Sequence, residues 1–159
     1  MTEREIFDWL KQKFGDGVIE FKEEKSSDPL IIVSPDSLDE ICFYLRDNEE
    51  LHFDFLNCIS GLDNPDKTLS AAYNLFSFPK KHKVTLKTTV TREKPDVKSV
   101  TGIWIAANWH EREVYDIIGI NFVGHPDLRR ILLPYDWEGY PLRKDYEVQE
   151  FYQGMKVPY

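Results

Sequence analysis

Apolar residues at Ile6, Leu10 and Phe14 recur every four positions, and Thr2 and Glu5 have the spacing of a capping box. The pattern predicts a first helix that stops at Gly15-Asp16-Gly17. Val18 to Phe21 reads as a short strand, Glu23 to Pro29 as a polar turn, and Leu30 to Val33 as a buried strand. Ser34-Pro35-Asp36 supplies a hydroxyl cap, a proline suited to the first helical position and an acid for the positive end of the dipole. A second helix is expected there, with Leu38, Ile41, Cys42 and Leu45 as its apolar stripe. Leu51 to Ser60 and Leu69 to Phe78 read as strands, and Pro79-Lys80-Lys81-His82 as a turn. In the next strand Val84, Leu86 and Val90 alternate with Lys83, Thr85, Lys87 and Thr89, so one face meets a core and the other meets water.

The period then changes. Asn108 and Glu111 again have capping-box spacing, and Gly119 suits the left-handed position after a last turn. Trp109 to Ile118 is therefore a predicted helix with Val114, Ile117 and Ile118 facing inward. Arg112 and Asp116 stand four apart and are expected to pair along its surface. Glu113 and Asp116 share a face and need a cation, for which Arg129, Arg130, Arg143 and Lys144 are the candidates. Pro126 fixes its own φ and turns His125 away from helix after Gly124. Trp137, Tyr140 and Tyr146 offer amphipathic contact area.

The fold class is thus α+β in two layers: a mixed five-stranded sheet with two helices, in the order α-β-β-α-β-β-β, then a signature helix and an extended C-terminal segment. Residues 1–98 form the sheet domain, with Pro95 to Ser99 as its connection onward. Residues 99–146 form a signature region packed on it, and 147–159 an extended tail that lies on a partner. One core suffices for 159 residues.

Composition narrows the chemistry. Residues 1–66 carry 17 acids and 6 bases, while 67–159 carry 11 and 14. Seven bases fall between Lys80 and Lys98, a solvated face or a contact to an anionic partner. A net charge of −8 argues against a nucleic-acid binder. Cys42 and Cys58 are the two cysteines; no CxxC exists, so these thiolates build neither an iron–sulfur cluster nor a zinc site. His110-Glu111 starts an H-E-x-x-H, but Val114 stands where the second histidine belongs. No phosphate loop, dinucleotide fingerprint or serine elbow is present. The charged N-terminus has no signal-peptide core, and no apolar run approaches the roughly 20 residues that cross a bilayer; a soluble chain is expected, with any membrane contact made through partners. Acids interleaved with arginines favour an ion-paired scaffold over acid–base catalysis by Glu111, Glu113 or Asp116.

The run from Ala106 to Tyr146 combines Glu111-Arg112-Glu113-Val114-Tyr115-Asp116, Gly119, Gly124-His125-Pro126, Arg129-Arg130, Asp136-Trp137 and Pro141-Leu142-Arg143-Lys144-Asp145-Tyr146. In this it closely resembles the 30 kDa subunit family (the C subunit) of proton-pumping NADH:quinone oxidoreductase, respiratory complex I. The resemblance implies a chain without cofactor or active site of its own, these residues serving as a signature and assembly interface. It implies a place in the peripheral arm beside the D subunit, near the B and I subunits, on the cytoplasmic side of a bacterial inner membrane. FMN, iron–sulfur clusters, NADH and quinone would belong to the holoenzyme. The equivalent subunit of a membrane-bound hydrogenase or another-donor dehydrogenase is the first alternative. A free-standing carboxylate-dependent hydrolase is the second.

Overall fold

The computed structural model describes residues 1–23 and 29–157. Helix α1 (Glu3–Phe14) has both halves of the expected capping box: the Thr2 amide donates to the Glu5 carboxylate at 2.8 Å, and the Glu5 amide donates to Thr2 Oγ1 at 3.3 Å. Ile6 and Leu10 are fully buried, and a 3-10 turn at Gly15–Gly17 ends the helix. Strands β1 (Val18–Lys22) and β2 (Leu30–Val33) pair antiparallel. The polar turn expected between them falls largely on residues 24–28, outside the described residues.

Helix α2 spans Leu38–Asp47, four residues past the start expected at Ser34. The Ser34 amide is taken up by the Gly17 carbonyl at 2.9 Å, continuing the β1–β2 ladder. Its own carbonyl closes a tight turn on the Ser37 amide, with Pro35 at the second position, where its fixed φ fits. The stripe of Leu38, Ile41, Cys42 and Leu45 is buried as expected. β3 (Phe55–Asp63) also begins four residues later than predicted and ends three later. Leu51 and Phe53 are buried but belong to the preceding turn, where Asn48 Oδ1 accepts the Glu50 and Leu51 amides. β4 (Thr68–Ser77) and β5 (His82–Thr91) complete a sheet of order β1-β2-β5-β4-β3, parallel only at β2–β5.

As expected, a third helix joins the first two on this sheet. Tyr73 on β4 lies near both Cys42 of α2 and Glu111 of α3 (Ala107–Ile118). The third helix crosses β3 at Gly61, where an added Cβ would sit 2.7 Å from Val114 Cγ1 and 3.0 Å from Ile118 Cγ1. The segment expected as a bare connection holds β6 (Asp96–Lys98), which pairs in parallel with β7 (Asn121–Val123) and brackets α3. Residues 124–150 then run without helix or strand. The tail is not extended throughout. β8 (Phe151–Tyr152) and β9 (Met155–Lys156) form a hairpin whose turn residues, Gln153 and Gly154, both have positive φ. It folds back because Trp137 offers a ring, 5.2 Å from that of Tyr152, and Asp136 accepts from Tyr152 Oη at 2.8 Å.

Gly61→Val is expected to lower the stability of the chain by about 1–3 kcal/mol, the usual cost of overpacking, despite the better strand propensity of valine. Urea unfolding of the purified chain measures it. An unchanged midpoint would show that α3 can lift off β3 without cost.

Candidate functional site

Helix α3 carries an unusual load, with Glu111, Arg112 and Asp116 all buried on a twelve-residue helix. Its inner edge is apolar, through Ala107, Val114 and Ile118. Gly119 ends it at φ +82°, its amide donating to the carbonyls of Val114 and Tyr115. Arg143 covers the remaining carbonyls, its guanidinium donating to Ile118 O at 2.7 Å and Gly119 O at 3.3 Å. A cation there also meets the negative end of the helix dipole. A side chain at 119 would collide with Arg143 Nη2 and the Tyr140 ring, both 2.6 Å from a Cβ, so the position needs glycine for its φ and for its space.

Asp116 is the hub. Its Oδ1 accepts from Arg130 at 2.7 Å, and its Oδ2 accepts the amides of Ile131, Leu132 and Leu133 at 3.0, 2.7 and 2.9 Å. Arg130 also reaches the Asp116, Trp137 and Gly139 carbonyls at 2.9–3.0 Å. Arg112 donates from the helix to the carbonyls of Arg129 and Arg130. One acid and two arginines thus satisfy much of the backbone of a segment that has no ladder of its own. Burial pushes the Asp116 carboxyl up, but the three amides and Arg130 outweigh it and hold it below the ordinary carboxylate range.

Glu111, one turn earlier and on the sheet side, has no cation. Its carboxylate accepts the Val100 amide at 2.7 Å and Ser99 Oγ at 2.6 Å. Burial dominates, and its pKa rises to about 7. Among the described residues the buried Tyr73 hydroxyl beside it has no hydrogen-bond partner, and burial pushes both that phenol and the Cys42 thiol up. A third acid, Asp63, binds Arg92 and accepts the Lys144 amide at 2.7 Å. Arg92 also pairs with Asp145 at 2.7 Å, so the ends of β3 and β5 are tied to the irregular segment.

Asp116 is saturated with donors and behaves as a fixed charge, not as a base. Among the described residues no cluster of three or more His, Cys, Asp or Glu is placed to hold a metal ion. The arrangement holds a chain segment in place. The sequence profile of the family described as respiratory-chain NADH dehydrogenase, 30 kDa subunit, matches residues 31–152. The chain belongs to this family.

Two relatives are each named as the C subunit of NADH-quinone oxidoreductase. The protein from Chloroherpeton thalassium is 48% identical over 94% of this chain, which spans 63% of its length. The one from Chlorobium phaeobacteroides is 44% identical over 96% of this chain and 93% of its own. The solved trypsin-resistant fragment of Nqo5 superposes with a TM-score of 0.63 at 27% identity, over 77% of this chain and 98% of the fragment. A chain of an archaeal membrane-bound sulfane sulfur reductase shares the fold, with a TM-score of 0.74 at 23% identity over 91% of this chain and 85% of its own.

Most signature positions of this 30 kDa family chain meet around α3. Glu111, Arg112, Asp116, Gly119, Arg130 and Arg143 form the network above. Tyr115 stacks edge-on against Tyr140, whose ring lies under Arg143 at 4.4 Å. Gly124, His125 and Pro126 make the expected turn, with His125 Nε2 3.1 Å from the Asn108 carbonyl. Trp137 donates to Tyr146 Oη at 3.1 Å. Pro141 is half-buried beside Leu142, whose amide donates to Ile117 O at 3.0 Å. Lys144 contributes its amide, while Glu113 is exposed and Arg129 pairs only with Asp127 at the surface.

Two expectations fail. Arg112 does not pair with Asp116, because the acid faces Arg130 and three amides while Arg112 is spent on carbonyls. Asn108 does not cap α3. The helix begins at Ala107 after Ala106, with no side-chain cap. The tight turn at residues 100–104 leads straight into it, and Glu111 turns to the Val100 amide. Asp63, Arg92, Ser99 and Gly61 were not legible as site residues, since each is ordinary in its own strand or loop and gains its role only across the fold.

Asp116→Ala is expected to cost about 3–5 kcal/mol, because it leaves the largely covered Arg130 without its acid and the three amides of Ile131 to Leu133 without an acceptor; chemical denaturation of the variant gives the value. Glu111 acts in the opposite sense with pH. Its native pKa of about 7 lies above the ordinary 4.5, so between those values the native state holds a proton the unfolded chain has released. That contribution is full below 4.5 and is lost as pH rises through 7, about 3 kcal/mol in all. Glu111→Gln should flatten the fall. Parallel stability curves for wild type and variant from pH 4.5 to 8 would refute it.

Proposed function

We propose that this chain is a non-catalytic, cofactor-free subunit of the peripheral arm of an NADH:quinone oxidoreductase. In this reading it stabilises the connecting module beside the D subunit, near the B and I subunits, on the cytoplasmic side of a bacterial inner membrane. The holoenzyme carries NADH electrons through FMN and iron–sulfur clusters to quinone and couples this to proton translocation. Family membership supports the complex. The observation that carries the role is the Asp116–Arg130 hub, since Asp116, Arg130 and Arg112 are spent on the backbone of residues 129–139 rather than turned toward a substrate. No helix of the described residues is long and apolar enough to cross a membrane, which agrees with attachment through partners.

Arg130→Ala is expected to lower the amount of assembled complex in native membranes while NADH:quinone turnover per assembled complex stays at the wild-type value. Mild-detergent pull-down of the tagged chain, with mass spectrometry and an activity assay, gives both readings. Full assembly with turnover selectively lost would overturn the scaffold role. Recovery with hydrogenase subunits, or with another donor's dehydrogenase, would move the chain to the equivalent place in that assembly.

A further inference from the structure

Several carboxylates in this molecule are answered: Asp63 by Arg92, Asp116 by Arg130, Asp39 by Lys98, Asp127 by Arg129 and Asp47 by Arg46. Among the described residues the α2–α3 face presents two unpaired acids beside uncovered apolar groups. On it Ile105 is 88% exposed, Trp109 63% and Phe43 43%. Trp109 and Glu113 stand four apart on α3 and share one stripe, and Ile105 lies in the turn that leads into the helix. Phe43 of α2 joins them through Arg46. That guanidinium lies 5.2 Å from the Phe43 ring centroid and donates to the Gly102 and Ile103 carbonyls at 3.5 and 3.0 Å.

The cations of this face are turned inward. Arg46 serves those two carbonyls and Asp47. Arg112 lies 5.2 Å from the centroid of the Trp109 ring, but its nitrogens bond the carbonyls of Arg129 and Arg130. The acids left to solvent are Glu113 and, one turn before Phe43, Glu40; both are exposed, and among the described residues neither is in an ion pair. The elements that carry the face are rigid, because α3 is locked on Gly61 and the 99–103 turn is held from two sides by Glu111 and Arg46. A tryptophan already laid against a guanidinium gives up little freedom on binding, and such Trp–Arg anchors are where interface energy concentrates.

We infer that the α2–α3 face of Phe43, Ile105, Trp109 and Glu113 docks a partner polypeptide that brings an apolar surface to the three hydrophobic side chains and a lysine or arginine to Glu113. This rests on the subunit reading above and names the face through which that assembly forms. Exposed residues contribute little to the fold itself, so variants here should leave the unfolding midpoint of the purified chain unchanged.

The test is capture of the known complex I subunits from native membranes by the tagged full chain. Ile105→Asp and Trp109→Ala should each lower recovery of the flavoprotein and iron–sulfur subunits about tenfold or more, and Glu113→Lys should do the same by charge reversal. Glu20→Ala, on the far strand β1, should recover them like wild type. Folded Ile105→Asp and Trp109→Ala chains that still capture at the wild-type level would overturn this surface and leave the subunit reading standing. Loss with those two but not with Glu113→Lys would overturn the basic partner. A dimer of the purified chain that Ile105→Asp dissolves would reassign the face to a second copy. Wild type capturing none of these subunits, from membranes with the complex intact, would sink the subunit reading and this inference with it.

Discussion

A polypeptide segment without helix or strand must still find partners for its amides and carbonyls, and this requirement governs the second half of the molecule. Residues 129–139 meet it with side chains. The three amides of Ile131 to Leu133 converge on a single oxygen of Asp116, and the outward carbonyls of the same segment converge on Arg130 and Arg112. Converging amides make a concave anion site, and here the anion is the protein's own carboxylate. Asp116 is fully buried and could not stay charged in an apolar surround. It stays charged because the segment it organises supplies its donors. The segment and the acid each depend on the other, which makes this part of the fold cooperative rather than a loop laid over a finished core.

That dependence explains why α3 can be half charged and still pack. Its apolar edge against Gly61 is narrow, and its buried charged residues are met by what lies over them, Asp116 by Arg130 and three amides, Arg112 by two carbonyls and Glu111 by an amide and a hydroxyl. Buried ion pairs are weak contributors to net stability compared with apolar packing, but they discriminate strongly against wrong arrangements, because a misplaced partner leaves a bare charge. A protein whose task is to hold one irregular path for a neighbour gains from such discrimination. This fits the proposed scaffold role, because Asp116, the acid at the centre of the network, has both oxygens occupied.

Legibility in the sequence followed the range of the interaction. The capping box at Thr2 and Glu5, the stripe from Leu38 to Leu45, the alternation through β5 and the left-handed end at Gly119 are local, and all four stand in the structure. The readings at Ser34 and Asn108 were also local, and both failed: the Ser34 carbonyl closes a tight turn on the Ser37 amide instead of opening the helix, and the turn at 100–104 runs directly into α3. The fold class could be read because it rests on periodicity. The site could be read as a set of residues, through the resemblance, but not as a set of contacts. Nothing local says that Asp116 prefers Arg130, fourteen positions away, to Arg112 at four. The Gln153-Gly154 turn was a local signal that went unread; it carries the hairpin of the tail.

The contrast between Glu111 and Asp116 shows how finely placement decides the state of an acid. They stand five residues apart on one helix and are both buried. Asp116 faces a segment that brings an arginine and three amides, and it is held ionised. Glu111 faces the sheet and receives one amide and one hydroxyl, with an unpartnered phenol and a thiol as neighbours, and it is pushed to about 7. Burial works against both carboxylates, and only at Asp116 do the donors and the facing charge outweigh it. An acid kept near neutrality at some stability cost needs a reason to remain. The reason visible here is geometric: Glu111 holds the Val100 amide and Ser99 hydroxyl of the turn that launches α3, while Arg46 grips the carbonyls of the same turn from α2. The charge on Glu111 is dispensable to that grip, because a protonated carboxyl still accepts the Val100 amide. The fold therefore uses Asp116 as a charge and Glu111 as a pair of oxygens.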